Sequence, residues 1–281
     1  MTHPHEPAGE WWRDQVAALH RWGRLVLRDE DDSVHQMRVT VRRMRSVLAT
    51  YRRFLDPEQT EPLREELKWL ADLLGEVRDA EVLRKRLRQW AAEHGPGPTG
   101  VDALRIALAE RQAQGRALLL PELEGERYRS LIAALAAPGG FPWSDGTPGK
   151  KALRKRVRRS WRRLAAAVDA AEVADGPGER RRRLHEARKK AKRTRYAAES
   201  LRELFGEDAE RLAEAAKSIQ STLGDLNDAA VMIRTIDTVP GPDAALSELR
   251  AAEEAAAADA EERFASVWKK ANRSKVHGWL G

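Results

Sequence analysis

Cysteine is absent from the 281 residues. That excludes disulfides and thiolate metal centres, and makes a reducing, cytosolic setting the natural expectation. No apolar run approaches the roughly 20 residues that a bilayer-spanning helix needs. The opening, MTHPHEPAGEWW, has no apolar core of the kind a signal peptide carries. β-Branched runs are scarce while Ala, Leu, Arg and Glu abound, which predicts an all-α protein. Also missing are a Gly-rich phosphate loop, an acidic metal cluster and a nucleophile constellation, so neither an enzyme nor a cofactor is expected.

Acids are missing in particular places. Residues 34–55 hold six Arg and no acid, and residues 150–163 hold nine Lys or Arg and no acid. Residues 180–198 hold ten Lys or Arg against Glu186 alone. Those windows carry +24 between them in a chain of net charge +7, which leaves −17 for everything else. Cations segregated this way attract a polyanion to one surface and repel it elsewhere.

The chain contains its basic stretch twice. VHQMRVTVRRMRSVLATYRRFL at 34–55 matches LHEARKKAKRTRYAAESLRELF from Leu184, at an offset of about 150 residues. His35 falls on His185, Arg38 on Arg188, Arg42 on Lys192 and Arg45 on Arg195. Val34, Met37, Val41, Met44, Leu48, Tyr51 and Leu55 form a helical seam beside that basic line. Leu184, Ala187, Ala191, Ala198, Leu201 and Phe205 form it in the second copy. A second pair of phrases, LLGEVRDAEV and TLGDLNDAAV, matches Gly75 with Gly224, Asp79 with Asp228 and, upstream, Lys68 with Lys217.

In order, the sequence predicts a disordered tail at 1–9 and a first helical half over 10–140. The half opens with a helix from Glu10 to Arg28. A capping box of Ser33 and Gln36 starts the 34–55 helix, and Asp56-Pro57 stops it. A long helix follows to about Glu93, then a GPGPTG loop, then a helix from 101 to about 137 broken at Pro121. The turn-rich APGGFPWSDGTPG at 137–149 divides the halves. The second half, 150–281, repeats the plan, with Gly206 as C-cap of its basic helix and a last helix ending near Lys270. Short connections make each half an antiparallel bundle of about four helices, the pair related by a pseudo-two-fold.

The His-x-x-Arg-x-x-x-Arg pattern in a basic helix, followed by Leu-Gly-x-x-x-Asp and repeated in both halves, resembles the CHAD (conserved-histidine α-helical) domain. The likeness runs from about Glu10 to about Lys270. It implies two four-helix bundles with a basic surface or central pore that binds inorganic polyphosphate, without catalysis, and bacterial association with polyphosphate granules. Members often follow a triphosphate-tunnel domain, but no ExExK-type strand stands near the start. One departure is Asn227 where the first half has Arg78.

The chemistry agrees. A linear polyphosphate offers oxygen acceptors on all sides and no base to read, so guanidinium forks and ammonium charges spaced along a surface suit it. The expected binding residues in the first half are His35, Arg38, Arg42, Arg43, Arg45, Arg52 and Lys68. Lys151, Arg154 and Arg158 are expected from the first helix of the second half. Its basic helix adds His185, Arg188, Lys189, Lys192, Arg193 and Arg195, and the next helix adds Lys217. The histidines are expected to donate to phosphate; no Glu-x-x-His or His-x-x-x-His pairing points to a metal. Asp79 and Asp228 are expected to cap a helix or hold an arginine, and the glycines to mark kinks or close packing. Trp12, Trp69, Trp90 and Trp161 sit at core-type positions, not as base-stacking platforms. A nucleic-acid-binding helical protein is the alternative, with nucleic acid otherwise a weaker competing polyanion. A phosphatase or kinase ranks last, and no membrane partner is expected.

Overall fold

The computed structural model describes residues 8–95, 99–138, 141–144, 148–241 and 243–281. The first half contains α1 (Gly9–Leu27), α2 (Ser33–Tyr51), α3 (Pro57–His94), α4 (Thr99–Glu124) and α5 (Glu126–Leu135). The second contains α6 (Lys150–Glu172), α7 (Gly176–Glu199), α8 (Arg202–Ile236), α9 (Ala244–Ala271) and α10 (Ser274–His277). Among the described residues there is no strand, only one isolated bridge between Leu55 and Trp143. Four long helices recur in the same order, basic one second and longest third, which is consistent with duplication.

The basic helices, α2 and α7, pack on each other. α2 turns Val34, Met37, Val41, Met44, Leu48 and Tyr51 inward. α7 buries mostly small residues, including Ala187, Ala191, Ala197 and Ala198, which lets the larger α2 side chains approach. Tyr51 ends α2 fully buried and donates to the Ala197 carbonyl at 3.2 Å, with Ser200 Oγ also at 3.2 Å. One apolar core runs through both halves, from Trp12 to Trp268. A smaller cluster joins their far ends, where Leu83, Leu87 and Leu104 meet Met232, Ile236 and Leu249. Beside it Arg86 forks onto Glu253, and Asp243 accepts from the Gly100 amide at 2.9 Å.

Several local expectations change. The tail reading at 1–7 lies outside the described residues, whereas Ala8 and Gly9 are buried and α1 starts at Gly9. Ser33 caps nothing: Asp32 precedes α2 in a left-handed conformation, and Gln36 donates to the Asp32 carboxylate at 2.7 Å. α2 stops at Tyr51 and yields to a short 3₁₀ turn; Asp56 then caps α3 by accepting from the Glu58 amide at 2.9 Å. α4 runs through Pro121 to Glu124, and the break comes at Gly125, in extended conformation before α5. α7 ends at Glu199; Gly206 (φ 52°, ψ −132°) kinks the start of α8 in a backbone conformation suited to glycine. α3 passes straight through Gly75, and α8 through Gly224. The loop at 96–98 and the boundary residues 139–140 and 145–147 lie outside the described residues. Phe141 and Trp143 pack on Tyr51, with ring centroids 6.5 and 5.9 Å away.

Candidate anion-binding site

The seam between α2 and α7 gathers four basic side chains: Arg38 and Arg42 from α2, Arg188 and Lys192 from α7. Arg38 donates to Asp79 of α3 at 2.6 Å. Arg42 and Arg188 each hold a buried Nε with no hydrogen-bond partner. Burial, the largest cause for both, pushes the two guanidiniums down from the ordinary arginine range, opposed on Arg42 by Tyr196 and on Arg188 by Asp228 and reinforced on both by Arg38. They remain charged nonetheless. Lys192 is pushed down to about 6, first by burial, then by Arg188, Arg42 and Arg38, with Asp228 opposing weakly. Near pH 7 the three arginines stay charged against the carboxylates of Asp79 and Asp228, so positive charge is left uncompensated even with Lys192 neutral. A buried charge without a partner is costly, and an arriving anion relieves that cost.

Each half builds its arm of the cluster alike. The Arg38 guanidinium lies over Gly75 of α3, with Nη2 3.9 Å from where a Cβ would stand. Arg188 lies over Gly224 of α8, with Nε and Nη2 at 3.7 and 3.8 Å. The glycines are thus close-packing sites under arginines and kink nothing. Asp79 holds an arginine, and both aspartates sit inside helices, so the capping role is withdrawn. Asp228 accepts from Asn227 at 3.1 Å.

The histidines flank the cluster. His35 is half-buried, and its pKa is lowered by burial and then by Arg78, against a raising effect from Asp32. His185 donates from Nδ1 to Asn227 Oδ1 at 2.9 Å; burial lowers its pKa more than that bond raises it. Both are therefore neutral imidazoles near pH 7 in the free protein. Among the described residues no group of three or more His, Asp or Glu side chains could hold a metal ion.

The other expected residues separate into those near the seam and those set apart. Arg195 donates to Glu199 at 2.7 Å, and Arg43 stands 3.3 Å from the same carboxylate. Arg45, Lys68 and Arg193 line a common depression. Arg52 is exposed and paired with Glu61 at 2.9 Å; Lys189 and Lys217 are exposed and paired with Glu186 and Glu214 at 2.8 and 3.1 Å. Lys151, Arg154 and Arg158 occupy the flank of α6 away from α2, where Arg158 reaches the Gly281 carbonyl. The opposite flank supplies cations the sequence reading passed over: Arg156, Arg159 and Arg163, beside Lys190 of α7. Those arginines were visible in the acid-free window, but which flank of α6 meets α2 was not.

A two-half, all-helical bundle with basic helices crossing at its centre defines the class. The CHAD domain family model matches residues 10–237, and this protein belongs to that family. It is 33% identical over 241 residues to two uncharacterized proteins of Mycobacterium tuberculosis, from strains H37Rv and CDC 1551. The match covers 81% of this chain and 44% of each relative, so the chain spans less than half the length of the curated relatives it matches. The fold is similar to PptA from Streptomyces chartreusis, with TM-score 0.70 and 20% identity over 93% of this chain and 97% of that one. It is also similar to the CHAD domain from the plant Ricinus communis, with TM-score 0.63 and 22% identity over 96% of this chain and 88% of that one. Among the described residues no helix is long and apolar enough to cross a membrane.

Proposed function

We propose that this protein binds inorganic polyphosphate, without catalysis, at the seam where α2 and α7 cross. The observation that carries the reading is the pair of buried, unpartnered Nε groups on Arg42 and Arg188 inside a cluster of three arginines and a lysine. Such donors want phosphate oxygens, and a slender unbranched chain can reach them where a base-paired duplex cannot. His35 stands at one edge to donate a further hydrogen bond, and His185 at the other donates from Nε2 once the bound anion favours its imidazolium form. Membership of the CHAD family supports the choice of ligand. On this reading the protein is cytoplasmic and joins polyphosphate granules through the same seam.

The test is direct competition. Long-chain polyphosphate, single-stranded nucleic acid and duplex DNA are titrated at equal total phosphate in about 0.15 M salt, where exposed charges are well screened. Polyphosphate should bind tightest, and Arg42→Ala with Arg188→Ala should abolish its advantage. Equal affinity for random duplex DNA, with the same salt dependence, would make this a nucleic-acid-binding protein instead.

A further inference from the structure

Three shallow depressions adjoin one another along the C-terminal half of α2. The first is lined by Arg45, Lys68 and Arg193, with Arg64 and Glu65 at its α3 end. The second shares Ala49 and Arg193 with the first and adds Arg156, Arg159, Arg163 and Lys190. The third shares Arg156 and Arg159 with the second and adds Arg53 and Lys155. Shared walls make them one groove, running from α3 across α2 and α7 onto α6. Its middle has a floor of small neutral residues, Ala49, Thr50 and Ser160, that lets a ligand come close to the helices.

Several of the groove's arginines stand together free of carboxylates. Arg127, Arg211 and Arg263, for comparison, are each held by carboxylates. Arg159, Arg163 and Arg193 are exposed and make no hydrogen bond or ion pair. Arg156 is anchored, donating to the Thr50 carbonyl at 3.2 Å with its guanidinium over the Phe54 ring, and Arg64 at the far end is paired with Glu61 at 2.6 Å.

The groove also has no counterpart in the first half. α1 buries Trp12, Val16, Leu19, Gly23 and Val26, and α6 buries Val157, Trp161, Leu164, Val168 and Ala171, in the same rhythm of steps. In that register α1 carries Glu10, Trp11, Asp14 and Ala18 where α6 carries Lys155, Arg156, Arg159 and Arg163. The two helices share the pattern of their buried faces while their flanks differ, one acidic and one basic.

We propose that this groove is a second anion subsite, peculiar to the second half, onto which a phosphate chain held at the seam continues. Arg45 stands one turn beyond Arg42 and Arg193 follows Lys192, so the two sites are contiguous. A long chain is then held to one side of the pseudo-two-fold and leaves the protein along α6. The inference rests on the seam reading given above.

The experiment compares tripolyphosphate with long-chain polyphosphate across three variants. Arg159→Glu with Arg163→Glu should leave tripolyphosphate binding within about two-fold. It should weaken long-chain binding by about tenfold or more and lower the salt slope by about two, one per lost phosphate contact. Lys151→Glu with Arg154→Glu makes the same charge change on the other flank of α6 and should leave both ligands unaffected. Arg42→Ala with Arg188→Ala should weaken both ligands. Unchanged long-chain binding in the groove variant, or equal loss in the opposite-flank variant, overturns the groove while leaving the seam standing. Wild-type binding of both ligands by the seam variant removes the seam reading itself, and with it the continuation.

Discussion

Arg188 lies across Gly224, its Nε 3.7 Å from the point where a glycine Cβ would stand. The helix beneath is regular, so glycine is not needed there for backbone reasons. What the position needs is a small side chain, which leaves room for the guanidinium to lie down against α8. Arg38 and Gly75 repeat the arrangement at 3.9 Å.

A methyl group fits under both arginines at ordinary van der Waals distance, and alanine is a better helix former by about 1 kcal/mol. Gly224→Ala should therefore stabilise the protein by about 0.5–1 kcal/mol, with polyphosphate affinity nearly unchanged. Gly224→Leu should lift Arg188 from its seat and weaken binding by about tenfold or more, on the order of a lost charged hydrogen bond. Chemical denaturation and titration of the two variants check this together. A stabilised leucine variant with full affinity would show that the guanidinium's seat is unimportant.

Lys192 should make binding proton-linked. Its pKa in the free protein is about 6, and a bound polyanion favours the ammonium form and raises it. Protons are then taken up on binding above pH 6, so affinity falls as pH rises from 6 towards 8. Calorimetry in buffers of different ionisation heat should detect the uptake at pH 7 to 8. His35 and His185, whose pKa values are lowered in the free protein, should add to the uptake as the bound anion raises them. Lys192→Arg, always charged, should abolish the uptake near pH 8. Persistence of the full signal in that variant would assign the proton to another group.

The same lysine should destabilise the free protein. Unfolded, it holds its proton up to its ordinary pKa of 10.5; folded, it loses it above about 6. Between those values the unfolded state binds more protons, so this residue's contribution to stability rises with pH. Lys192→Met should raise Tm at pH 7 by about 2–4 °C, the shift that about 1 kcal/mol gives in a chain of this size. The gain should shrink towards pH 10, and polyphosphate affinity should fall. A lower Tm at pH 7 would mean that the ammonium is better solvated than its surroundings suggest.

Tyr51→Phe should loosen the joint between halves. It removes the hydroxyl that meets the Ala197 carbonyl and Ser200, which still bond each other at 3.0 Å. A cost of about 0.5–1.5 kcal/mol is expected in urea unfolding. A cost below about 0.5 kcal/mol would show that apolar packing alone sets the register of α2 against α7.

The helical class, the two-half plan and the central arginines were legible because each is written locally. The seam repeats at three- and four-residue steps, and the basic line rides beside it. The depth of that line was not legible. Arg42, Arg188 and Lys192 were read as an outward face, but a partner helix supplied by the other half covers them, and no local pattern records that. Caps failed for a related reason: Ser33 and Gln36 have the spacing of a capping box, yet Asp32 takes the glutamine. Pro121 shows the limit of a breaker rule, since α4 tolerates one missing donor and ends where Gly125 allows the chain to turn.

The continuous core has a consequence for ancestry. Half of this protein standing alone would leave wet the face of α2 that Ala197, Ala198 and their neighbours now cover, with the Tyr51 hydroxyl unsatisfied beneath it. If the two halves came from one repeat, that single copy would have hidden the face against a twin, pairing about a symmetry axis through the present seam. Two copies joined in one polypeptide no longer need identical flanks. One flank can then turn acidic and the other basic, a divergence forbidden to a homodimer, whose every substitution appears twice.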